Sequence, residues 1–161
     1  STHCISSAAS DVYKRQEQTY ADACFTAHAI EPDNENAPKD EAEIEAYYNE
    51  IRKIWDGRDI TIIRGEGTEI FQHDIYDNAK SVNYIYGPKA HAFRDYDRLL
   101  AEAKAQPKDR LMIVVLGPTA TVLAYDLAKA GYQALDIGHL GKAYDWLKRK
   151  ETIVIGKFFA S

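Results

Sequence analysis

Four glycine-containing turns carry most of the side chains in this sequence that could take part in chemistry. Gly65-Glu66-Gly67-Thr68 offers a carboxylate and a hydroxyl, and Asp136-Ile137-Gly138-His139 offers a carboxylate and an imidazole. The other two are Gly87-Pro88-Lys89 and Gly117-Pro118-Thr119, the latter followed by Thr121. Carboxylates and imidazole bind divalent metals, imidazole also moves protons, and backbone N–H groups at a helix start bind phosphate. The set therefore suits a phosphorylated ligand held together with a divalent metal.

The third turn stands between a predicted strand and a predicted helix. Residues 111–116 are six consecutive apolar residues, which is typical of a strand buried on both faces. Gly117 permits a sharp turn, and Pro118 suits a first helical position, where no backbone donor is needed. The unpaired N–H groups and the positive end of the helix dipole then favour an anion. A plain strand–helix turn that binds nothing is the alternative.

The other turns also follow predicted strands. Hydrophobic periodicity predicts strands at 59–64, 81–86, 111–116 and 132–137, with shorter candidates within 20–30 and at 152–155. It predicts helices at 40–55, 90–105, 118–130 and 142–150. This alternation predicts an α/β, Rossmann-like fold whose mostly parallel sheet has helices on both faces. Because ligands bind outside the carboxyl ends of parallel strands, the four turns should meet at one edge of the sheet.

Composition excludes several classes of protein. The chain has 161 residues, a net charge of −5 and no long Lys- and Arg-rich run, so nucleic acid is not an expected partner. No apolar stretch is long enough for a membrane span. The two cysteines, Cys4 and Cys24, are too few for a disulfide framework or a zinc cluster, and a reducing cytoplasm is expected. Residues 1–16 are similar to translated adaptor sequence of metagenomic contigs, whereas 17–161 are predicted to form one domain.

Each candidate residue also has a purely structural interpretation. Glu66 could be a loop charge paired with Arg64, Asp136 could cap a turn, and His139 could be a structural histidine. Another Rossmann-like enzyme, such as a methyltransferase, is a weaker alternative, because no Gly-x-Gly-x-Gly loop follows the first readable strand.

Several segments resemble the bacterial glycosyltransferases of the GT-D fold. The resemblance extends from about residue 20 to the C-terminus and is strongest in Leu116–Leu127 and in Asp136-Ile137-Gly138-His139. Segments 54–59, 65–68, 74–81 and 87–93 support it. It implies a Rossmann-like sheet that binds a nucleotide-sugar, typically UDP-linked, with a divalent metal (Mn or Mg). The implied reaction transfers the sugar to a glycan on a cell-surface protein or a polysaccharide.

The four turns and the resemblance together give the candidate site residues. The candidate catalytic residues are His139, Asp136 and Glu66, and the resemblance implies that Asp136 and His139 face the metal, as its ligands, or the transferred group. The candidate donor-binding residues are Gly65, Thr68, Gly117, Pro118, Thr119 and Thr121, and the resemblance implies that the Gly117-Pro118-Thr119 turn lies near the diphosphate.

The chain departs from the family pattern in two places. The family carries an Asp-x-Glu metal motif after an Arg-Phe-Gly-like strand, whereas Asp33-Asn34-Glu35 has that spacing without that context. Glu69 stands where the family commonly has arginine. These departures predict a member without its N-terminal strand and metal motif. The alternative function is therefore a catalytically incomplete, nucleotide-binding fragment of such an enzyme.

Overall fold

A computed structural model of the protein describes residues 41–68 and 74–149. Its centre is a four-stranded sheet, β1 (Asp59–Gly65), β2 (Ser81–Gly87), β3 (Leu111–Val115) and β4 (Ala134–Asp136). Its α-helices are α1 (Glu41–Arg52), α2 (Tyr96–Lys104), α3 (Pro118–Lys129) and α4 (Leu140–Arg149). All strand pairs are parallel, and the spatial order is β2-β1-β3-β4. The α/β, Rossmann-like fold is therefore confirmed.

Helices cover both faces of this sheet. Ile60 and Ile62 of β1 point into one apolar core, which also contains residues of α1 and α4. Ile63 points into a second core, which contains residues of α2 and α3. This alternation follows from the two-residue period of a strand, and it explains why the central strands read as continuous apolar runs. Within the described ranges, no helix is long and apolar enough to cross a membrane.

Trp55 anchors the segment after α1 to the first core. Its side chain is fully buried, and its indole Nε1 donates a hydrogen bond to the carbonyl of Ile75 at 3.0 Å. Ile75 lies in a short 3₁₀ helix, Asp74–Tyr76, which belongs to the connection from β1 to β2. This contact fixes that connection against the same face of the sheet as α1.

Several elements differ in extent from their predictions. The helix predicted at 40–55 ends at Arg52, and the helix predicted at 142–150 begins at Leu140. The strand predicted at 132–137 is limited to β4, because Gly131 adopts a positive φ of 87° and the Tyr132 amide donates to the Leu127 carbonyl. Residues 131 and 132 thus form the C-terminal cap of α3. The helix predicted at 90–105 opens as a 3₁₀ helix, Ala92–Asp95, and becomes α-helical at α2. The strands predicted within 20–30 and at 152–155, the Asp33-Asn34-Glu35 segment and residues 1–16 lie outside the described residues.

The strand order reverses beside β1. The connection from β1 to β2 lies on the face of the sheet that α1 covers. The connection from β2 to β3 contains α2, lies on the opposite face, and places β3 on the other side of β1. In open α/β sheets such a reversal leaves a crevice at the carboxyl ends of the two strands involved. The topology therefore places the expected ligand site between the ends of β1 and β3.

Candidate functional site

A pocket lies at the position that the topology indicates. Its described lining residues are Ile62, Arg64, Thr68, Tyr76, Val115, Gly138, His139, Gly141 and Lys142. They come from the end of β1, the 3₁₀ helix Asp74–Tyr76, the end of β3 and the segment after β4. Two of the predicted site residues, Thr68 and His139, line this pocket. Seven others, although they lie in the turns around it, are not among its described lining residues: Gly65, Glu66, Gly117, Pro118, Thr119, Thr121 and Asp136.

The turn after β1 is ordered by the Thr68 hydroxyl. This hydroxyl donates to the Gly65 carbonyl at 2.6 Å and accepts from Nε of Arg64 at 2.6 Å. Glu66 is exposed, and among the described residues its carboxylate forms no ion pair with Arg64. The suggested pairing of Glu66 with Arg64 is therefore replaced by a contact between Arg64 and Thr68. The Thr68 hydroxyl positions the guanidinium of Arg64.

The turns after β1 and β2 are in direct contact. The Glu66 amide donates to the Gly87 carbonyl at 2.8 Å. A Cβ added to Gly65 would lie 3.4 Å from the Pro88 carbonyl oxygen and 3.5 Å from Cα of Lys89. The small size of Gly65 thus lets the second turn lie directly against the first, which holds both turns at one edge of the sheet.

The turn after β3 has the predicted strand–glycine–helix form. Gly117 has φ 54° and ψ −140°, a conformation that strongly favours glycine, and Pro118 is the first residue of α3. Thr119 is buried, whereas Thr121 is half-buried and its hydroxyl donates to Oδ2 of Asp136 at 2.8 Å. This hydrogen bond joins the third turn to the fourth.

Asp136 caps the turn after β4, as its structural interpretation predicted. Its Oδ1 accepts a hydrogen bond from the Gly138 amide at 3.1 Å, while Oδ2 accepts from Thr121. The side chain is exposed, so these two contacts orient the carboxylate without enclosing it. Such an arrangement is compatible with metal binding as well as with a structural cap.

His139 is half-buried at the start of α4. Burial lowers its pKa below the usual value, and the positive charge of Lys142 lowers it further, whereas Asp136 acts in the opposite direction. The imidazole is therefore neutral at physiological pH, which is the form that binds a metal or accepts a proton.

Sequence reasoning missed two cationic residues of the pocket, Arg64 and Lys142. Arg64 is the one charged residue among the apolar residues at the end of β1, and Lys142 stands three residues after His139, on the same side of a helix. Lys142 is half-buried, and its pKa is lowered by burial and then by the charge of Lys89. A charged residue in an apolar strand and a helical spacing from a candidate histidine are the signals that could have identified them.

Comparison with known proteins shows the family. A sequence model of the family described as "Glycosyltransferase GT-D fold" matches residues 6–156. The glycosyltransferase GlyD of Streptococcus pneumoniae serotype 4 is 35% identical over 111 residues, which is 68% of this chain and 14% of that protein. A probable glycosyl transferase, Gly, of Streptococcus gordonii is 33% identical over 103 residues, covering 63% of this chain and 15% of the relative.

Solved structures show the same relationship. A glycosyltransferase of Streptococcus sanguinis containing the domain of unknown function 1792 aligns with 89% of this chain at a TM-score of 0.73 and 26% identity. A structure of that domain described as having a distinct glycosyltransferase fold aligns with 91% of the chain at a TM-score of 0.75 and 28% identity. The chain spans 52% and 56% of these two solved chains, and about one-seventh of the curated relatives.

Proposed function

This chain belongs to the GT-D fold family of glycosyltransferases, and from that premise we propose that it binds a UDP-linked sugar and transfers the sugar to a glycan. The observation that carries the proposal is the position of the pocket. It lies at the carboxyl ends of β1 and β3, where the strand order reverses, and its lining combines a neutral histidine with two cationic side chains. Such a site suits a ligand with a negatively charged diphosphate and a polar group at the reacting end.

We propose that the diphosphate lies between the pocket and the start of α3. Gly117 and Pro118 place the first N–H groups of that helix at the same edge of the sheet, and Thr121 links this turn to Asp136. The helix dipole and these donors favour an anion there. Gly65 and Thr68 bound the other side of the proposed donor site.

The transferred sugar would then lie near His139 and Asp136. Neutral His139 is suited to accept a proton from an acceptor hydroxyl or to orient the donor. Glu66 is exposed at the end of β1 and available to a polar substrate. We propose these three side chains as the catalytic group.

The described residues at this edge of the sheet supply only some of the ligands that a divalent cation needs. In the described part of the chain no three His, Cys, Asp or Glu side chains are grouped closely enough to hold a metal ion. Asp136 and His139 could supply two ligands, which leaves the remaining positions to phosphate oxygens and water. When bound, Mn²⁺ or Mg²⁺ would offset negative charge on the diphosphate.

The acceptor we propose is a glycan of a cell-surface protein or a polysaccharide, as the family resemblance implies. We propose the cytoplasm as the compartment, which agrees with a chain that contains only Cys4 and Cys24.

A second candidate function is nucleotide binding without sugar transfer. It is favoured by the described residues of the site, which do not include a third grouped metal ligand. Calorimetric titration with UDP, with and without Mn²⁺, separates the two. Tight binding that requires Mn²⁺ supports the transferase, whereas weak binding that Mn²⁺ does not change supports the nucleotide-binding fragment.

The catalytic assignment is tested by donor hydrolysis and sugar transfer. His139→Ala and Glu66→Ala should each lower the rate by about 100-fold or more, the contribution expected of a positioned acid or base. Glu45→Ala is the matched control, because Glu45 is an exposed carboxylate on α1, remote in sequence from the pocket turns. Rates equal to wild type in both site variants would remove these side chains from the mechanism.

A further inference from the structure

Two tyrosines of β2 lie beside the pocket. Tyr84 pairs in register with Ile62, and Tyr86 pairs with Arg64, and both of these β1 residues line the pocket. Residues paired in this way point to the same face of a sheet. Because β2 and β3 lie on opposite sides of β1, the tyrosines continue the pocket surface on the side away from His139.

Tyr84 is an exposed aromatic residue whose ring is held by its neighbours. The residue is 45% exposed, and the guanidinium carbon of Arg64 lies 5.9 Å from its ring centre. The Tyr86 ring is nearly parallel to it, with 5.8 Å between the ring centres and 12° between the planes. A ring that is already fixed loses little conformational entropy when a ligand packs against it. An exposed, fixed tyrosine beside a pocket is therefore suited to contact a ligand.

A carboxylate lies near the hydroxyl end of this ring. Asp77 directly follows the 3₁₀ helix Asp74–Tyr76 and is exposed. The pKa of Tyr84 is raised mainly by burial and further by Tyr86 and Asp77, whereas Arg64 acts in the opposite direction. The charge of Asp77 thus reaches the Tyr84 hydroxyl, so the ring and the carboxylate belong to one surface. We call Tyr84, Tyr86 and Asp77 the Tyr84 surface.

An aromatic ring next to a carboxylate matches the chemistry of a sugar ring. The C–H groups on the face of a pyranose carry a slight positive charge and pack against the negative face of an aromatic ring. The hydroxyls at its rim donate hydrogen bonds, and a carboxylate is a strong acceptor.

The position of the surface indicates which of the two substrates this sugar belongs to. The donor diphosphate is proposed to lie toward the start of α3, which follows β3. The Tyr84 surface lies across β1 from that position, and the exposure of Tyr84 leaves it accessible to a large glycan. This arrangement leaves the β2 side of the pocket to the acceptor.

We propose that Tyr84 and Asp77 bind a sugar ring of the acceptor glycan, and that Tyr86 supports the Tyr84 ring. The proposal rests on the proposed function for the role of that sugar as an acceptor. For the existence of the site it rests on the register of β2 with the pocket strand and on the contacts of Tyr84.

NMR titration of the full chain with methyl β-glucoside, with and without UDP, tests the site. Every ring hydrogen of this probe is axial, so both of its faces can pack on a tyrosine. Tyr84→Ala should weaken its binding by about tenfold, the loss expected when an aromatic contact residue is truncated. Tyr84→Phe keeps the ring and should stay within about threefold of wild type. Asp77→Ala should weaken binding by about tenfold, because a hydrogen bond to a charged group is lost.

Tyr125→Ala is the matched control. Tyr125 is 51% exposed, and Nζ of Lys129 lies 4.5 Å from its ring centre, so it is also an exposed tyrosine beside a cation. It belongs to α3, which covers the opposite face of the sheet. Tyr125→Ala should bind the glucoside like wild type.

Three results overturn the proposal. The first is a glucoside affinity of Tyr84→Ala within about twofold of wild type. The second is a loss of uridine affinity in Tyr84→Ala without a loss of glucoside affinity, which would make Tyr84 a nucleobase contact. The third is no binding of millimolar glucoside to the wild type in the presence of UDP. If Tyr84→Ala does not fold, Asp77→Ala decides the question, because Asp77 lies in an exposed turn.

The outcomes separate this site from the proposed function. If the wild-type protein binds the glucoside through Tyr84 but neither binds nor transfers from UDP-sugars, the sugar site stands and the transferase proposal fails. If sugar transfer proceeds and the acceptor KM is unchanged in Tyr84→Ala, the sugar site fails and the transferase proposal stands.

Discussion

Replacing Thr68 with valine should destabilise the protein, because the Thr68 hydroxyl has two partners that valine cannot serve. The hydroxyl accepts from Nε of Arg64 and donates to the Gly65 carbonyl, each at 2.6 Å. Valine has nearly the same shape, so the change removes the hydroxyl with little change in packing. It leaves Nε of Arg64 without its partner, beside an Nη2 that has no hydrogen-bond partner among the described residues.

The expected loss is about 2 kcal/mol of unfolding free energy. A hydrogen bond to a charged group contributes about 1.5–3 kcal/mol, and Arg64 is too buried for water to replace the lost partner fully. Loss of the hydrogen bond to the Gly65 carbonyl adds little to this cost. Thr68 is half-buried, so water can reach the vacated position and bind the carbonyl. For a chain of this size the loss corresponds to a Tm lower by about 4–8 °C.

Urea unfolding followed by circular dichroism measures this change, with Thr68→Ser as the matched control. Serine keeps the hydroxyl and loses only a methyl group, so Thr68→Ser should remain within about 1 kcal/mol of wild type. Equal stabilities of the valine and serine variants would show that the hydroxyl does not hold the guanidinium, which would refute this reasoning.

Three further changes test other parts of the fold. Gly117→Ala should lower the free energy of unfolding, measured in urea, by about 1–3 kcal/mol. The cost comes from backbone strain alone, because φ is positive and an added Cβ meets nothing within 4 Å. An unchanged urea midpoint would contradict this prediction. Trp55→Phe should lower the free energy of unfolding by about 2–4 kcal/mol in the same assay, because it opens space at a fully buried site and removes the hydrogen bond to the Ile75 carbonyl. A loss below about 0.5 kcal/mol, the range of an ordinary surface substitution, would contradict this prediction. His139 has a lowered pKa when folded, so its neutral form contributes stability above about pH 6.5 that is lost as pH falls toward the folded pKa. His139→Gln should therefore reduce the drop in Tm between about pH 7.5 and pH 5.5, and an equal drop in both proteins would contradict the lowered pKa.

The strands and the start of α3 were predictable, because residues close together in sequence determine them. The apolar run at 111–116 can be stable only where both of its faces are covered, and the structure buries β3 between two cores. Gly117 followed by Pro118 likewise has few alternatives to a turn that starts a helix, and the structure confirms it.

The extent of β4 and the partner of Arg64 were not predictable, because distant contacts decide them. Tyr132 is apolar enough for a strand, but its amide caps α3 and its hydroxyl lies within hydrogen-bond distance of the carbonyl oxygens of Lys104 and Gln106. The nearest carboxylate in sequence to Arg64 is that of Glu66, yet the guanidinium lies against the Thr68 hydroxyl. Neighbours along the chain do not show which side chain a folded turn brings within reach.

The strand order also has a consequence for how the chain folds. Each described strand pair is parallel and joined through a crossover, so the described sheet contains no hairpin that could form early from adjacent residues. Ile60 of the central strand pairs with Val82 on one side and with Leu111 on the other, so β1 stays half-paired until the chain has reached β3. Folding dominated by such non-local contacts is slow, in the range of about milliseconds to seconds. During synthesis, the apolar residues of β1 are exposed until β3 emerges, and the partly made chain is open to aggregation for that interval.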